Sequence, residues 1–393
     1  MLDKIFNEVD NIKGELLQLS KDIHENPELS FGEYKSSGFI KELLRKHDFE
    51  IEDNSGGMET AFKARYKGKK AGPRVAFLAE YDALPEIGHA CGHNLIAMVS
   101  AGAAIALSKF MDEIPGEIVL MGTPAEEGGG GKVLLIESGD FGDIDYSLMT
   151  HPSTENLVHR GGLAISSVGL KFYGVSAHSA APEFGINALQ AVIQTFNNID
   201  TMRGLFPTGT NINGIIIKGG TASNIIPDYA ESHFTIRART LGDLKIVVKH
   251  FKNIVESVEK LTGARGELDI GKPYAERYPN LIMGEAFKRH MEAQGEEVNY
   301  PDPNKKVGSS DIGNVSLLMP AIHEYFKITD ENINSHAIEF TEAAISEYAQ
   351  EMGIKAAKSL ASVGYEILTD EEFRNEIDEE FKNTVPKYGS FDL

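Results

Sequence analysis

Arg74-Val-Ala-Phe-Leu-Ala79 runs directly into Glu80-Tyr-Asp-Ala-Leu-Pro85, then Glu86-Ile-Gly-His-Ala-Cys-Gly-His93, and ends in Asn94-Leu-Ile-Ala-Met-Val-Ser-Ala-Gly-Ala-Ala-Ile-Ala-Leu107. The first run is short and apolar, the pattern of a buried strand. The last is Ala-rich, apolar and too long for a strand, so it reads as a buried helix. Polar residues crowd into the turn between them. Strand, turn and helix in this order are the unit of an α/β layered sheet. The turn also holds the chain's one cysteine, two residues from a histidine. A thiolate and an imidazole that close make a chelate for a borderline-soft metal such as zinc.

The pattern extends outward from this segment. Strand-like runs recur at Ile118-Val-Leu-Met-Gly and Tyr146-Ser-Leu-Met-Thr, with helical stretches around 94–112 and 130–138. Upstream, Ile5, Val9, Ile12, Leu16, Leu19 and Ile23 recur at helical spacing and predict one amphipathic helix, stopped by Asn26-Pro27. A second helix is expected over roughly Tyr34 to Lys46. From about Gly162 the order changes: a strand at 163–173, a helix at 187–199, strands at 210–218 and 229–238, a helix at 244–261 and a strand at 266–270. That succession, β-α-β-β-α-β, is a self-contained ferredoxin-like unit. After Pro273 the α/β pattern resumes, with a strand near 321–328 and one long helix over 341–368. The expected fold class is α/β, a layered catalytic domain in two sequence pieces, 1–164 and 273–393, with a smaller domain inserted at 165–272. The acid-rich last twenty-odd residues fit a surface helix or a loosely held tail.

Composition sets limits on function. A length of 393 residues accommodates two cores, and 41% hydrophobic with 25% charged residues is ordinary for a globular protein. The net charge of -21 argues against a nucleic-acid partner, because polyanion binding relies on clustered Lys and Arg. A single cysteine excludes an internal disulfide framework and fits a reducing cytoplasm. The N-terminus lacks the features of a secretory signal, and the longest apolar stretch, 95–107, is shorter than the roughly 20 residues a bilayer requires, so no membrane role is expected.

Three further segments supply what a metal site at Cys91 and His93 still lacks. Glu126-Glu127 follows a strand-like run and leads into Gly128–Gly131; His151 closes another; His336 sits in Asn334-Ser-His-Ala-Ile-Glu-Phe after the 321–328 strand. Ligands gather outside the carboxyl ends of strands in open α/β sheets, so distant segments can converge there. Taken singly, a His or Cys is more often a packed or surface residue, and an acidic pair a solvated face. The coincidence of these groups in compact order carries the functional reading. Five candidate ligands, Cys91, His93, Glu127, His151 and His336, exceed the four of one tetrahedral zinc, which points to a site for two divalent metals. Neighbouring side chains diverge, so one glutamate would ligate while the other serves as general base toward the attacking water. A phosphate-cradling loop is the rival for the glycine run. It lacks the Gly-Lys-Ser/Thr spacing, and the two carboxylates beside it would repel phosphate. Asp82 ends the first strand, where its carboxylate could orient a ligand histidine; a turn aspartate before Pro85 is the plain alternative.

The combination resembles the aminoacylase and carboxypeptidase-type dinuclear metallopeptidases (metallopeptidase family twenty), in the amidohydrolase and dipeptidase branch. The resemblance rests on Ile23-His-Glu-Asn-Pro-Glu-Leu-Ser, Glu80-Tyr-Asp-Ala-Leu-Pro, Gly88-His-Ala-Cys-Gly-His-Asn-Leu-Ile and Thr123-Pro-Ala-Glu-Glu-Gly-Gly-Gly-Gly. Gly174-Val-Ser-Ala-His-Ser-Ala-Ala-Pro, Gly219-Gly-Thr-Ala-Ser-Asn-Ile-Ile-Pro and Ser335-His-Ala-Ile-Glu-Phe complete it, so it covers the chain nearly end to end.

It implies a zinc-peptidase-like catalytic domain, with the inserted domain as a lid and dimer contact in a homodimer or higher homo-oligomer. It implies that Cys91 bridges two metals, with His93, Glu127, His151 and His336 completing the ligand set and Glu126 as base and proton shuttle. It also gives His178 an oxyanion-stabilising role and lets Asn224 and Arg237 hold a substrate carboxylate; an ion pair is the plain alternative for Arg237. Asn94 departs from an aspartate common in relatives, and Ala337-Ile338 from a smaller or proline-containing turn. Neither change removes a ligand, and Asn94 with Glu80-Tyr-Asp leans toward the dipeptidase-like branch.

The expected activity is hydrolysis of the amide bond of an N-acyl amino acid, dipeptide or small peptide. Zinc suits the Cys and His donors, with manganese as the alternative. Two rivals stand beside it: a non-catalytic metal-binding relative, and a deacetylase of an amino sugar or polyamine.

Overall fold

The structure is a computed structural model that describes residues 2–305, 307–388 and 390–393. The chain opens with α1 (Leu2–Asn11), α2 (Lys13–Glu25) and α3 (Tyr34–Lys46), followed by β1 (Glu50–Asp53), β2 (Phe62–Lys67), β3 (Arg74–Ala79), α4 (His93–Ser108), β4 (Glu117–Gly122), α5 (Gly131–Glu137) and β5 (Tyr146–Ser153). Then come β6 (Ala164–Tyr173), β7 (Ala177–His178), α6 (Ala188–Met202), β8 (Asn211–Lys218), β9 (Ile225–Ile226), β10 (Tyr229–Ala238), α7 (Leu241–Thr262) and β11 (Arg265–Ile270). The last elements are α8 (Leu281–Glu292), α9 (Ile312–Ser316), β12 (Ala321–Lys327), α10 (Ile338–Ala343), α11 (Glu347–Thr369) and α12 (Glu371–Thr384). The chain divides into two compact units. One comprises 1–161, 278–307 and 314–387, the other 162–277, 308–313 and 388–393.

The larger unit is built on a six-stranded sheet in the order β1-β2-β4-β3-β5-β12. Its β4-β3-β5-β12 portion is parallel, and β2 and β1 add antiparallel at one side. Parallel strands are covered on both faces, which is why β3 and β4 read as continuous apolar runs. Every residue of α4 is buried, as its all-round apolar sequence requires, and it packs with α11 against the sheet. Three consequences bear on the site. The turn from β3 to α4, the turn from β4 to α5 and the end of β5 all open at the carboxyl edge of parallel strands.

The smaller unit carries a four-stranded antiparallel sheet in the order β11-β6-β10-β8, with α6 and α7 packed on it. Renumbered within the unit, this is strand order 4-1-3-2, the ferredoxin-like arrangement. A short antiparallel ribbon of β7 and β9 accompanies it.

Four expectations need correction. The first predicted helix is two, α1 and α2, broken around Ile12. Apolar periodicity continues across the break, so it left no trace in the pattern. The predicted helix over 341–368 is also two, because Ser346 caps α11 by accepting from the Ala349 N–H at 3.1 Å. Strands β1 and β2 were not anticipated. His151 lies inside β5 rather than beyond its end. The acid-rich tail segment contains the helix α12. No helix among the described residues is long and apolar enough to cross a membrane.

Candidate metal centre

Cys91 and His93 reach the site through a backbone only glycine accommodates between them. Gly92 has φ 73°, and a Cβ there would lie 2.5 Å from Cγ of Pro152. His93 is the first residue of α4 and is completely buried. The β4–α5 turn delivers Glu126 and Glu127. Ala125 sits at φ 60°, and Gly131 packs so closely that a Cβ would meet the Pro124 carbonyl oxygen. Buried Glu33 holds this turn by accepting from the Ala125 N–H at 2.9 Å. Burial, with a contribution from the Asp82 charge, pushes the Glu33 carboxyl up to about 7. His336 also adopts a left-handed conformation, φ 64°, and its N–H donates to the Ala90 carbonyl at 2.9 Å. The last predicted ligand is thereby tied to the loop of the first.

The side chains converge. Cys91 Sγ lies 3.5 Å from Nε2 of His151 and 3.6 Å from Nε2 of His336. Glu127 spans the cluster, with Oε1 3.9 Å from Nε2 of His93 and Oε2 3.5 Å from Nε2 of His336. Two three-residue groups, Cys91-His93-His151 and Cys91-Glu127-His336, each bring their donor atoms within 4.8 Å of one another and share the cysteine. Glu126 joins His93 and Glu127 in a third such group.

Asp82 ties two segments together. His93 Nδ1 is 3.0 Å from Asp82 Oδ1 and 2.9 Å from its carbonyl oxygen, so the ring carries its proton there. Asp82 Oδ2 accepts from the Glu127 N–H at 3.0 Å and from Ser30 Oγ at 3.2 Å. Burial alone would raise this carboxyl, but the His93 hydrogen bond and charge hold it below its ordinary value. Burial likewise opposes a charged His93, and the same bond overcomes it and holds the ring well above the ordinary histidine value. Burial, reinforced by Glu127, pushes the Cys91 thiol up, so its thiolate requires a cation beside it.

The residues fit a metal ion. With Nδ1 of His93 engaged, its Nε2 is buried and has no hydrogen-bond partner among the described residues; neither does Oε1 of Glu127. Such donors are costly to bury unless they bind something. Thiolate, imidazole and carboxylate are the donor set of a borderline cation.

His178, Asn224 and Arg237 belong to the smaller unit. His178 and Asn224 come together in its ribbon, where the Ser179 N–H donates to the Asn224 carbonyl at 3.0 Å and His178 pairs with Ile225. Both are exposed. Arg237 lies on β10 between Ile165 and Asn211, with a buried Nε that lacks a hydrogen-bond partner among the described residues. Sequence reasoning missed Glu33, Ser30, Glu80 and Lys132. Glu80 was visible as a carboxylate at a strand end, but nothing in the order of residues pairs it with Lys132.

The Xaa-Arg dipeptidase of Mus musculus is 36% identical to this chain over 393 residues, covering 95% of the chain and 90% of the relative. The chain belongs to the M20 family of metallopeptidases. Residues 159–262 match the M20 peptidase dimerisation domain. Thermostable carboxypeptidase 2 of Saccharolobus solfataricus is 33% identical over 294 residues, covering 68% of the chain and 75% of the relative. A dinuclear metal binding M20 peptidase from Bacillus subtilis shares the fold at TM-score 0.66 and 22% identity, covering 89% of this chain and 99% of that one. This M20 chain is an enzyme, a metal-dependent hydrolase of amide bonds.

Proposed function

We propose that this chain is a dinuclear zinc amidohydrolase acting on dipeptides and N-acyl amino acids. One observation carries the reading: two donor triads meet at the single cysteine, with a second glutamate, Glu126, beside them. Cys91, His93 and His151 would hold one cation and Cys91, Glu127 and His336 the other. Cations bound there supply Lewis acidity and lower the pKa of water from about 15.7 toward 7.

The protein's own residues perform the rest. Asp82 keeps a proton of His93 on Nδ1, so that Nε2 is the nitrogen that would bind a cation once its own proton is displaced, and fixes the backbone of Glu127 through its second oxygen. Glu126 takes the proton of the attacking water and returns it to the leaving amine. His178, carried by the smaller unit, is assigned the oxyanion. Asn224 and Arg237 are assigned the substrate carboxylate; the unpartnered Nε of Arg237 supports this.

A basic C-terminal residue is favoured in the substrate. The 36% identity to an Xaa-Arg dipeptidase and the net charge of -21 support this preference, and electrostatic attraction would speed capture of a cation. The carboxylate requirement argues against an amino-sugar or polyamine deacetylase. A base placed beside the ligands argues against a non-catalytic relative. A free cysteine used as a ligand suits a reducing cytoplasm. The smaller unit is assigned the dimer contact.

The deciding experiment is hydrolysis of a panel of Xaa-Arg, Xaa-Leu and N-acetyl amino acids by protein stripped with chelator and restored with zinc or manganese. Turnover only after metal addition, with Xaa-Arg preferred, is expected. Metal-independent turnover, or none on any member with two ions bound, overturns the reading.

A further inference from the structure

Two fully enclosed charges sit beside the metal cluster and have no part in the mechanism above. Glu80, immediately after β3, and Lys132, in the first turn of α5, are both 0% exposed. Lys132 Nζ donates to Glu80 Oε1 at 2.5 Å. Oε2 of Glu80 has no hydrogen-bond partner among the described residues but faces Nε2 of His93 across an ion pair of 3.5 Å, and that nitrogen likewise makes no hydrogen bond. A Glu80 oxygen also lies within 4.8 Å of one from Glu126.

A buried ion pair is retained only where geometry or charge balance rewards it. Here the ammonium engages one oxygen and thereby fixes the direction of the other. Glu80 adds a negative charge close to the carboxylate of Glu126, and Lys132 offsets it. A pair that merely stapled β3 to α5 would gain nothing from an oxygen facing His93.

We propose that Lys132 and Glu80 form a positioning device for the cation held by His93. Lys132 aims Glu80, and the free oxygen of Glu80 sets a fixed negative charge beside the ligand nitrogen that strengthens cation binding. Neither residue touches the reacting atoms. The inference rests on the dinuclear reading, and the test separates the two.

The full-length protein is stripped with chelator and titrated with Zn²⁺ against a chromophoric chelator, with Tm measured in parallel. The parent is expected to bind two ions. Lys132→Met is expected to bind one of them at least about tenfold more weakly. If it fails to fold, the double variant Glu80→Gln with Lys132→Met removes both charges together and leaves none uncompensated. That variant is expected to melt near the parent and still show the tenfold loss. A folded variant of either kind that binds both ions as the parent does overturns the positioning role. A parent that binds fewer than two ions overturns the dinuclear reading, and this inference falls with it.

Discussion

The carboxylate of Asp82 grips His93 through one oxygen, 3.0 Å from Nδ1, while its other oxygen accepts the backbone N–H of Glu127 at the same distance. One side chain thus orients a donor on α4 and the turn that carries two glutamates. Asp82→Asn keeps the shape but can present an amide N–H to one of the two donors. The expected result is a loss of about 10- to 100-fold in zinc affinity, with kcat falling alongside. Chelator competition on the purified variant checks this; unchanged affinity would show that the carboxylate is structural.

Glu126 is tested separately from the ligands. Glu126→Gln removes the base and preserves the volume. Two bound ions and a KM near the parent's are expected, with kcat reduced by about 100- to 10,000-fold. Full activity with both metals in place would sink the assignment.

Much of the candidate site was legible because its proposed donors are rare residue types placed in the segments that follow strands. Cys91, His93, Glu126, Glu127 and His336 could be collected by position alone. Their angular arrangement could not, since it depends on left-handed turns at Ala125 and His336, where no glycine marks the conformation. The same limit hid part of the fold. β1 reads Glu-Ile-Glu-Asp, mostly charged; β2, Phe-Lys-Ala-Arg-Tyr-Lys, buries Phe62 and Ala64 in the core, but its three basic residues break the continuous apolar run that marks the other strands of this sheet. The Glu80–Lys132 pair joins residues 52 apart, and only the fold brings them together. The cap of α11 at Ser346 was missed as well, because helix-forming residues flank it on both sides and a lone serine does not by itself mark a helix start.

Acid lability should trace partly to Glu366, far along α11 from the ligands. It accepts from Nε2 of His290 at 3.0 Å and from Arg289 at 2.6 Å. Burial would raise its carboxyl, but His290 and then Arg289 hold it below the ordinary 4.5. A carboxyl depressed in the folded state adds stability above its unfolded value and loses it as pH falls through the folded one. Glu366→Gln is therefore expected to cost about 1 kcal/mol at pH 7, and the gap from the parent should close below the ordinary carboxylate range. Melting curves from pH 7 to pH 3 check the sign; a gap that widens toward acid contradicts it.

The smaller unit's sheet ends in β8, whose outer edge is open among the described residues and which carries three consecutive isoleucines. Among the described residues β8 pairs only with β10, and Ile215, Ile216 and Ile217 are 61%, 46% and 56% exposed. An open strand edge with three exposed isoleucines invites a second copy, and the match of this region to a dimerisation domain agrees with it. Charged residues on an edge block such pairing. Ile215→Lys with Ile217→Glu should convert the protein to monomers in sedimentation velocity, with the melting temperature little changed, because neither side chain is in the core. Zinc binding should persist, since all five proposed ligands lie in the larger unit. A dimer of parental stability after both substitutions would place the contact on another face of the unit.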